Sequence, residues 1–206
     1  LNDFLHGRCQ IEEAAIDVTP SLSYANPPLP EGGTVYLIPS SIQTGEIARI
    51  LSDGYDVGLL NDGIQQVIQR LDLDFLFIDT HPGVNEETLL SIAISDMLFL
   101  VLRPDRQDFQ GTSVTVELAR QLDVKDMYMV LNMVLDVMDP DALRERAESI
   151  FRTPVGQLLP LSEDLVQLGS DGVFSLINPE HPYSKRVRKL ADILSALNPN
   201  SAQVKG

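Results

Sequence analysis

The chain has 206 residues and a mass of 22.8 kDa, with 44% hydrophobic residues, a formal net charge of −15 and a pI near 4.4. Its length suits one well-buried domain, and the acidic balance disfavours general affinity for nucleic acid or an anionic membrane, because both depend on neutralising phosphates with Lys and Arg. A single cysteine, Cys9, excludes an internal disulfide framework and any Cys-x-x-Cys metal or redox motif, and no apolar run approaches the roughly 18–20 residues that span a bilayer. Together these features suit a cytoplasmic protein.

Leu1 to Val18 reads as helical turns, with Leu1, Phe4 and Leu5 on one face, a stop at Gly7, and Ile11, Ala14 and Ala15 again at helical spacing. Thr19 to Gly33 holds four prolines and the pair Gly32-Gly33, so it is expected to be a loop. Val35 to Ile38 is a short apolar strand ended by Pro39 and Ser40, followed by a helix from Gln43 to Ser52. Asn61 to Leu71 makes the next helix, with Ile64, Val67, Ile68 and Leu71 as its buried stripe.

Phe75, Leu76, Phe77 and Ile78 then read as a buried parallel strand that stops at Asp79 and turns at once through Thr80, His81, Pro82 and Gly83. In an open α/β sheet, ligands bind at the carboxyl edge of the strands, which makes Asp79 a candidate ligand residue. Asp also caps loops and helices, so the pattern alone leaves both roles open. Asn85 is a candidate N-cap for a helix running through Leu89, Leu90, Ile92 and Ala93.

Met97 to Leu102 is the next buried strand, closed by Arg103 and Pro104. Gln110 to Leu122 is a helix, Met127 to Leu131 a strand, and Pro140 to Phe151 a helix with Asp139 as cap and Pro140 as first helical residue. Val155 to Leu159 is the last strand, followed by a short helix near Leu165, a loop over Gly169 to Gly172, and a closing helix from Tyr183 to about Leu197. Strands alternating with helices predict an α/β fold: a mostly parallel sheet with helices on both faces.

Four strand ends carry polar or turn-forming residues: the Asp79 loop, Arg103-Pro104-Asp105, Asn132-Met133, and the run from Pro160 to Asp164. The ordered set F-I-D-T-H-P-G, S-D-M-L-F-L-V-L-R-P, M-V-L-N-M-V and V-G-Q-L-L-P-L-S-E-D-L resembles the later three quarters of the MinD/ParA family of P-loop ATPases. The resemblance implies that Asp79 ends a Walker B strand and holds Mg²⁺ through water, since a hard cation takes oxygen ligands and keeps several waters beside phosphate. It implies that Gly83 belongs to switch II and lets backbone approach the γ-phosphate, that Asn132 hydrogen-bonds the adenine, and that the Pro160 loop packs on the base. ATP and Mg are the implied cofactors. His6, His81 and His181 form no ligand pattern for zinc.

The phosphate-cradling loop of that family needs glycine-rich backbone and a Lys followed by Ser or Thr. The lysines here are Lys125, Lys185, Lys189 and Lys205, and none is in such a loop. The expectation is a single MinD/ParA-like domain over 1–206 that lacks the family's first two strands and ends in a polar tail over 198–206, with a segment preceding Leu1. The missing strands would flank the Asp79 strand, so their omission is expected to leave unpaired backbone and uncovered apolar side chains there.

The closing helix has Val187, Leu190, Ile193, Leu194 and Leu197 on one face and Lys185, Arg186, Arg188 and Lys189 near its start, the pattern of a packing helix rather than a membrane anchor. The resemblance implies a nucleotide-dependent homodimer that hydrolyses ATP and positions or regulates a protein partner, in cell division, partitioning or a similar task. The alternative is a non-catalytic interaction module of the same fold.

Overall fold

A computed structural model describes residues 1–25, 28–29, 32–39, 57–80, 83 and 86–196. The expected helix from Gln43 to Ser52, the Asn85 cap, His81, Pro82 and the 198–206 tail lie outside the described residues. The chain divides into two units, Leu1–Asp79 and Thr80–Gly206.

In the first unit, helix α1 (Asn2–Leu5) and a 3₁₀ turn (Ile11–Ala14) pack with α2 (Val57–Arg70). Phe4, Ile11 and Val67 are its buried core, with Leu5, Leu71 and Leu73 against them. Glu12 in the 3₁₀ turn pairs with Arg70 in the last turn of α2, where a cation also suits the helix dipole. Strands β1 (Ile16–Asp17) and β2 (Tyr36–Leu37) form a two-residue antiparallel pair, Ile16 opposite Leu37 and Asp17 opposite Tyr36. The short strand expected over Val35–Ile38 is narrowed to Tyr36–Leu37. Its partner is the nearby β1, and Leu37 is exposed rather than buried.

The expected buried strand over Phe75–Ile78 is corrected too. Residues 75–80 have no helix or ladder assignment, and no described strand pairs with them. Phe75 is 45%, Phe77 73% and Ile78 38% exposed. A four-residue apolar run has the composition of an interior strand, but a strand is buried only when both a ladder partner and a covering layer are present.

In the second unit, α3 (Glu86–Ile94) precedes β3 (Met97–Leu102), and α4 (Arg106–Gln121) leads to β4 (Asp126–Val134). Then α5 (Pro140–Phe151) leads to β5 (Val155–Pro160), and α6 (Glu163–Leu168), α7 (Phe174–Ile177) and α8 (Pro182–Ser195) complete the unit. The three strands form a parallel sheet in the order β3-β4-β5. Leu100, Leu102, Met129 and Leu131 meet Phe109 and Val116 of α4 and Phe151 of α5 on one face. Side chains alternate along a strand, so Tyr128 lies on the opposite face. There, a β-carbon on Gly156 would come within 3.2 Å of Leu190 and 3.4 Å of Ile193 and of Tyr128, which is how closely α8 approaches β5. Helices thus cover both faces, as the alternation of elements predicts.

The two edges of this sheet differ. On β5, the Val155 N–H donates to Glu148 Oε1 at 2.9 Å, its carbonyl accepts from Arg144, and the Leu158 carbonyl accepts from Arg186 Nη1 at 2.6 Å. Side chains of α5 and α8 thereby occupy three backbone groups of that edge, a recognised way of protecting an edge strand. On β3, no described strand pairs with the edge away from β4, and Val101, on the Tyr128 face, is 63% exposed.

Candidate functional site

The carboxyl ends of β3, β4 and β5 lie along one side of the parallel sheet, and each has its own local device. At β3, Asp105 caps α4 by accepting from the Asp108 N–H at 2.9 Å. Asp108 returns a bond to the Arg103 N–H at 2.9 Å, two residues ahead of the cap, rather than to the N–H of the cap residue itself as in a capping box. The Arg103 guanidinium closes the ring with two bonds to Asp108, Nε at 3.1 Å and Nη2 at 3.2 Å. Those side-chain bonds, followed by the backbone bond, hold the Asp108 carboxyl below the usual carboxylate range. Asp108 and then Asp105 in turn raise Arg103 above its ordinary value. The sequence reading placed Arg103 and Asp105 at this edge but missed Asp108; its signal was the three-residue spacing Asp105 to Asp108, that of a capping box.

At β4, Asn132 lies two residues inside the strand's end, because pairing continues to Val134 rather than stopping at Leu131. Its Oδ1 accepts from the Met133 N–H at 2.9 Å, and Met133 takes a left-handed backbone with φ of 56°. That bond fixes which end of the amide is oxygen and leaves the NH₂ group as a donor for another acceptor. At β5, Pro160 stands opposite Val134 in the ladder, and the Leu161 N–H donates to the Val134 carbonyl at 2.9 Å. The structure therefore brings the Asn132 corner and the Pro160 loop together. Beside Pro160 is a cavity of about 140 Å³ lined by Val134, Leu135, Met138, Pro140 and Leu158, with Asp136 and Arg186 as its polar walls. Asn132 is not among the lining residues.

Gly83, also in the second unit, has φ of +111°, a backbone that side-chain-bearing residues rarely adopt. A β-carbon there would meet nothing within 4 Å, so it is the backbone angle and not crowding that calls for glycine. Asp79 belongs to the first unit, is exposed, and makes no hydrogen bond or ion pair with the described residues. No group of three or more His, Cys, Asp or Glu among the described residues is arranged to hold a metal ion.

No protein-family model matches the chain. It is 31% identical over 103 residues to an uncharacterized ATP-binding protein of Methanocaldococcus jannaschii, a match covering 48% of this chain and 35% of that one. The chain thus matches about a third of that relative's length. The solved structure of the MinD cell division protein of Aquifex aeolicus superposes with a TM-score of 0.75, covering 96% of this chain and 75% of that chain at 16% identity. The fold is MinD/ParA-like. A ParA family ATPase of Chlorobium tepidum gives a TM-score of 0.66 at 18% identity over 93% of this chain and 74% of its own. The septum site-determining protein MinD of Pyrococcus horikoshii, complexed with Mg-ADP, gives 0.71 at 17% identity over 99% and 76%. No helix among the described residues is long and apolar enough to cross a membrane.

Proposed function

We propose that the chain is the nucleotide-handling part of a MinD/ParA-type ATPase, one that binds and hydrolyses Mg-ATP in the complete protein. What supports this reading is the order of residues along the chain: Asp79 is an exposed carboxylate at the end of an apolar extended run, and Gly83, four residues on in the sequence, has φ +111°. Both fit the group they would serve: an exposed carboxylate supplies the oxygen chemistry that Mg²⁺ requires, and a glycine at positive φ presents bare backbone N–H to an anion. Asp79 would hold the metal through water and Gly83 would face the γ-phosphate. The Asn132 NH₂ would donate to the adenine ring, and Pro160 would flank the base. Bound Mg²⁺ would neutralise charge on the phosphates.

The phosphate-cradling loop belongs, on this proposal, to a segment outside these 206 residues. Support comes from the apolar run Phe75–Ile78 and, separately, from the outer edge of β3, neither of which pairs with a strand among the described residues. The assembly would be a nucleotide-dependent homodimer in the cytoplasm, acting on a regulatory protein partner in division, partitioning or a similar positioning task. Asp79→Ala in the complete protein should abolish Mg-dependent ATP hydrolysis, and undiminished turnover would refute the assignment. The second reading, a non-catalytic interaction module, is favoured by the four lysines, none of which lies in a glycine-rich loop. Failure of the complete protein to bind ATP would select it.

A further inference from the structure

Three Asp-Gly steps occur in the chain: Asp53-Gly54, Asp62-Gly63 and Asp171-Gly172. Glycine has no side chain to shield its amide nitrogen, so at such a step that nitrogen can attack the preceding aspartyl carboxyl group wherever the backbone is free to bring the two together. Asp53-Gly54 lies outside the described residues, and the other two stand in opposite settings. Asp62 and Gly63 are in the interior of α2, where each N–H is held by the carbonyl four residues back, and Gly63 is buried against the Phe4 ring. Asp171 and Gly172 lie in the loop between α6 and α7, outside any helix or strand. Asp171 is exposed, and its N–H donates to the Leu168 carbonyl at 3.1 Å. Gly172 has φ of 136°, and its N–H donates no hydrogen bond among the described residues.

We propose that Asp171 is a site of spontaneous isoaspartate formation from which the fold shields Asp62. The Gly172 amide nitrogen, giving up its proton, bonds to the side-chain carboxyl carbon of Asp171, and a carboxyl oxygen leaves as water, which closes a cyclic succinimide. Water then opens the ring. Cleavage at the side-chain carbon returns Asp, and cleavage at the main-chain carbonyl carbon leaves the chain running through the former side chain, as isoaspartate. One water is lost and one regained, so the mass is unchanged and no oxidant or other co-reactant enters. In α2 the same closure would require Asp62 to leave the helical backbone and Gly63 to give up both its hydrogen bond and its place against Phe4. The product at 171 carries an extra main-chain carbon three residues ahead of Phe174, whose buried ring packs edge-on against His181 at 5.0 Å and Tyr183 at 6.0 Å.

The test is to age the folded full chain at neutral pH beside two free peptides, residues 58–68 and 166–176, and to map isoaspartate by isoaspartyl methyltransferase labelling with fragmentation mass spectrometry. The peptides measure what local sequence alone allows. Asp171 in the folded chain should convert within about tenfold of the rate of its peptide, and Asp62 more than about tenfold slower than its own, because reaction there waits on local opening of α2. In urea both sites should approach their peptide rates. Asp171→Glu, whose longer side chain closes a larger and slower ring, should remove the label at 171 and leave Asp62 as it was. Protection of Asp171 beyond the tenfold limit, or conversion of Asp62 within it, would overturn the proposal.

Discussion

Gly63, in the interior of α2, lies against the ring of Phe4: a β-carbon at that position would come within 2.5 Å of both Cε1 and Cζ. Phe4 is 6% exposed and sits with Ile11 and Val67, so its ring cannot simply swing aside. Gly63→Ala gains about 1 kcal/mol of helix propensity, but the overpacking it forces costs about 1–3 kcal/mol. The expected outcome is a net loss of stability in urea unfolding. Combining Gly63→Ala with Phe4→Leu should cost less than the sum of the two single changes, since the smaller side chain frees the space; strict additivity would show that the contact is not what matters.

Asp139 accepts from the N–H groups of both Asp141 and Ala142, at 2.9 and 3.3 Å, with Pro140 in the first helical position. Asp139→Ala should destabilise the second unit by about 1 kcal/mol, and Asp139→Asn should restore most of it, because the amide oxygen can accept the same bonds. Guanidinium unfolding of the two variants distinguishes a lost cap from a lost charge.

Arg152 ends α5 in a left-handed conformation, φ 49° and ψ 39°, and is exposed. Its carbonyl accepts from Arg120 Nη2 at 3.2 Å, a bond that any residue can make. A left-handed backbone costs an ordinary residue about 1–2 kcal/mol, and glycine's extra freedom when unfolded returns roughly 0.5–1 kcal/mol of that. Arg152→Gly should therefore raise the melting temperature slightly, and a fall would reveal a role for the guanidinium.

The Arg103 ring predicts a pH dependence. Asp108 has a lower pKa when folded than its unfolded value of about 3.9, so its stabilising contribution is fully present above that value and is lost as pH falls through the folded pKa. Asp108→Asn keeps an acceptor for the Arg103 N–H but removes the charge. Its melting temperature should fall below that of the parent at neutral pH and converge with it in acid. A gap of constant size across the range would mean that the ion pair contributes nothing titratable.

What was legible in the sequence was what short-range chemistry decides. The Asp139-Pro140 start of α5 and the Met97–Leu102 strand follow from neighbouring residues, whereas the equally local Asp105 to Asp108 spacing behind the α4 cap was missed, and that helix starts at Arg106 rather than Gln110. The positions of Asn132 and Pro160 near strand ends were readable for the same reason, although the bulged register that carries β4 on to Val134 was not. The pairing of β1 with β2 and the exposure of Phe77 were not legible, because two-residue ladders and strand burial depend on which backbone is available elsewhere. Nor did any local pattern announce that Arg144, Glu148 and Arg186 would reach the backbone of β5. Each has the look of an ordinary solvated charge on an amphipathic helix.

Those three side chains give the sheet a direction of growth. With the Val155 N–H and the Val155 and Leu158 carbonyls of β5 already taken by helix side chains, another strand adds more readily alongside β3 than alongside β5. A fibril needs two open edges on every copy, one to receive and one to template, and here one of them is partly stoppered. Misassembly through the second unit should therefore favour pairs joined β3 to β3, a small and soluble dead end. Replacing Glu148 and Arg186 would be the change that turns it into a chain reaction.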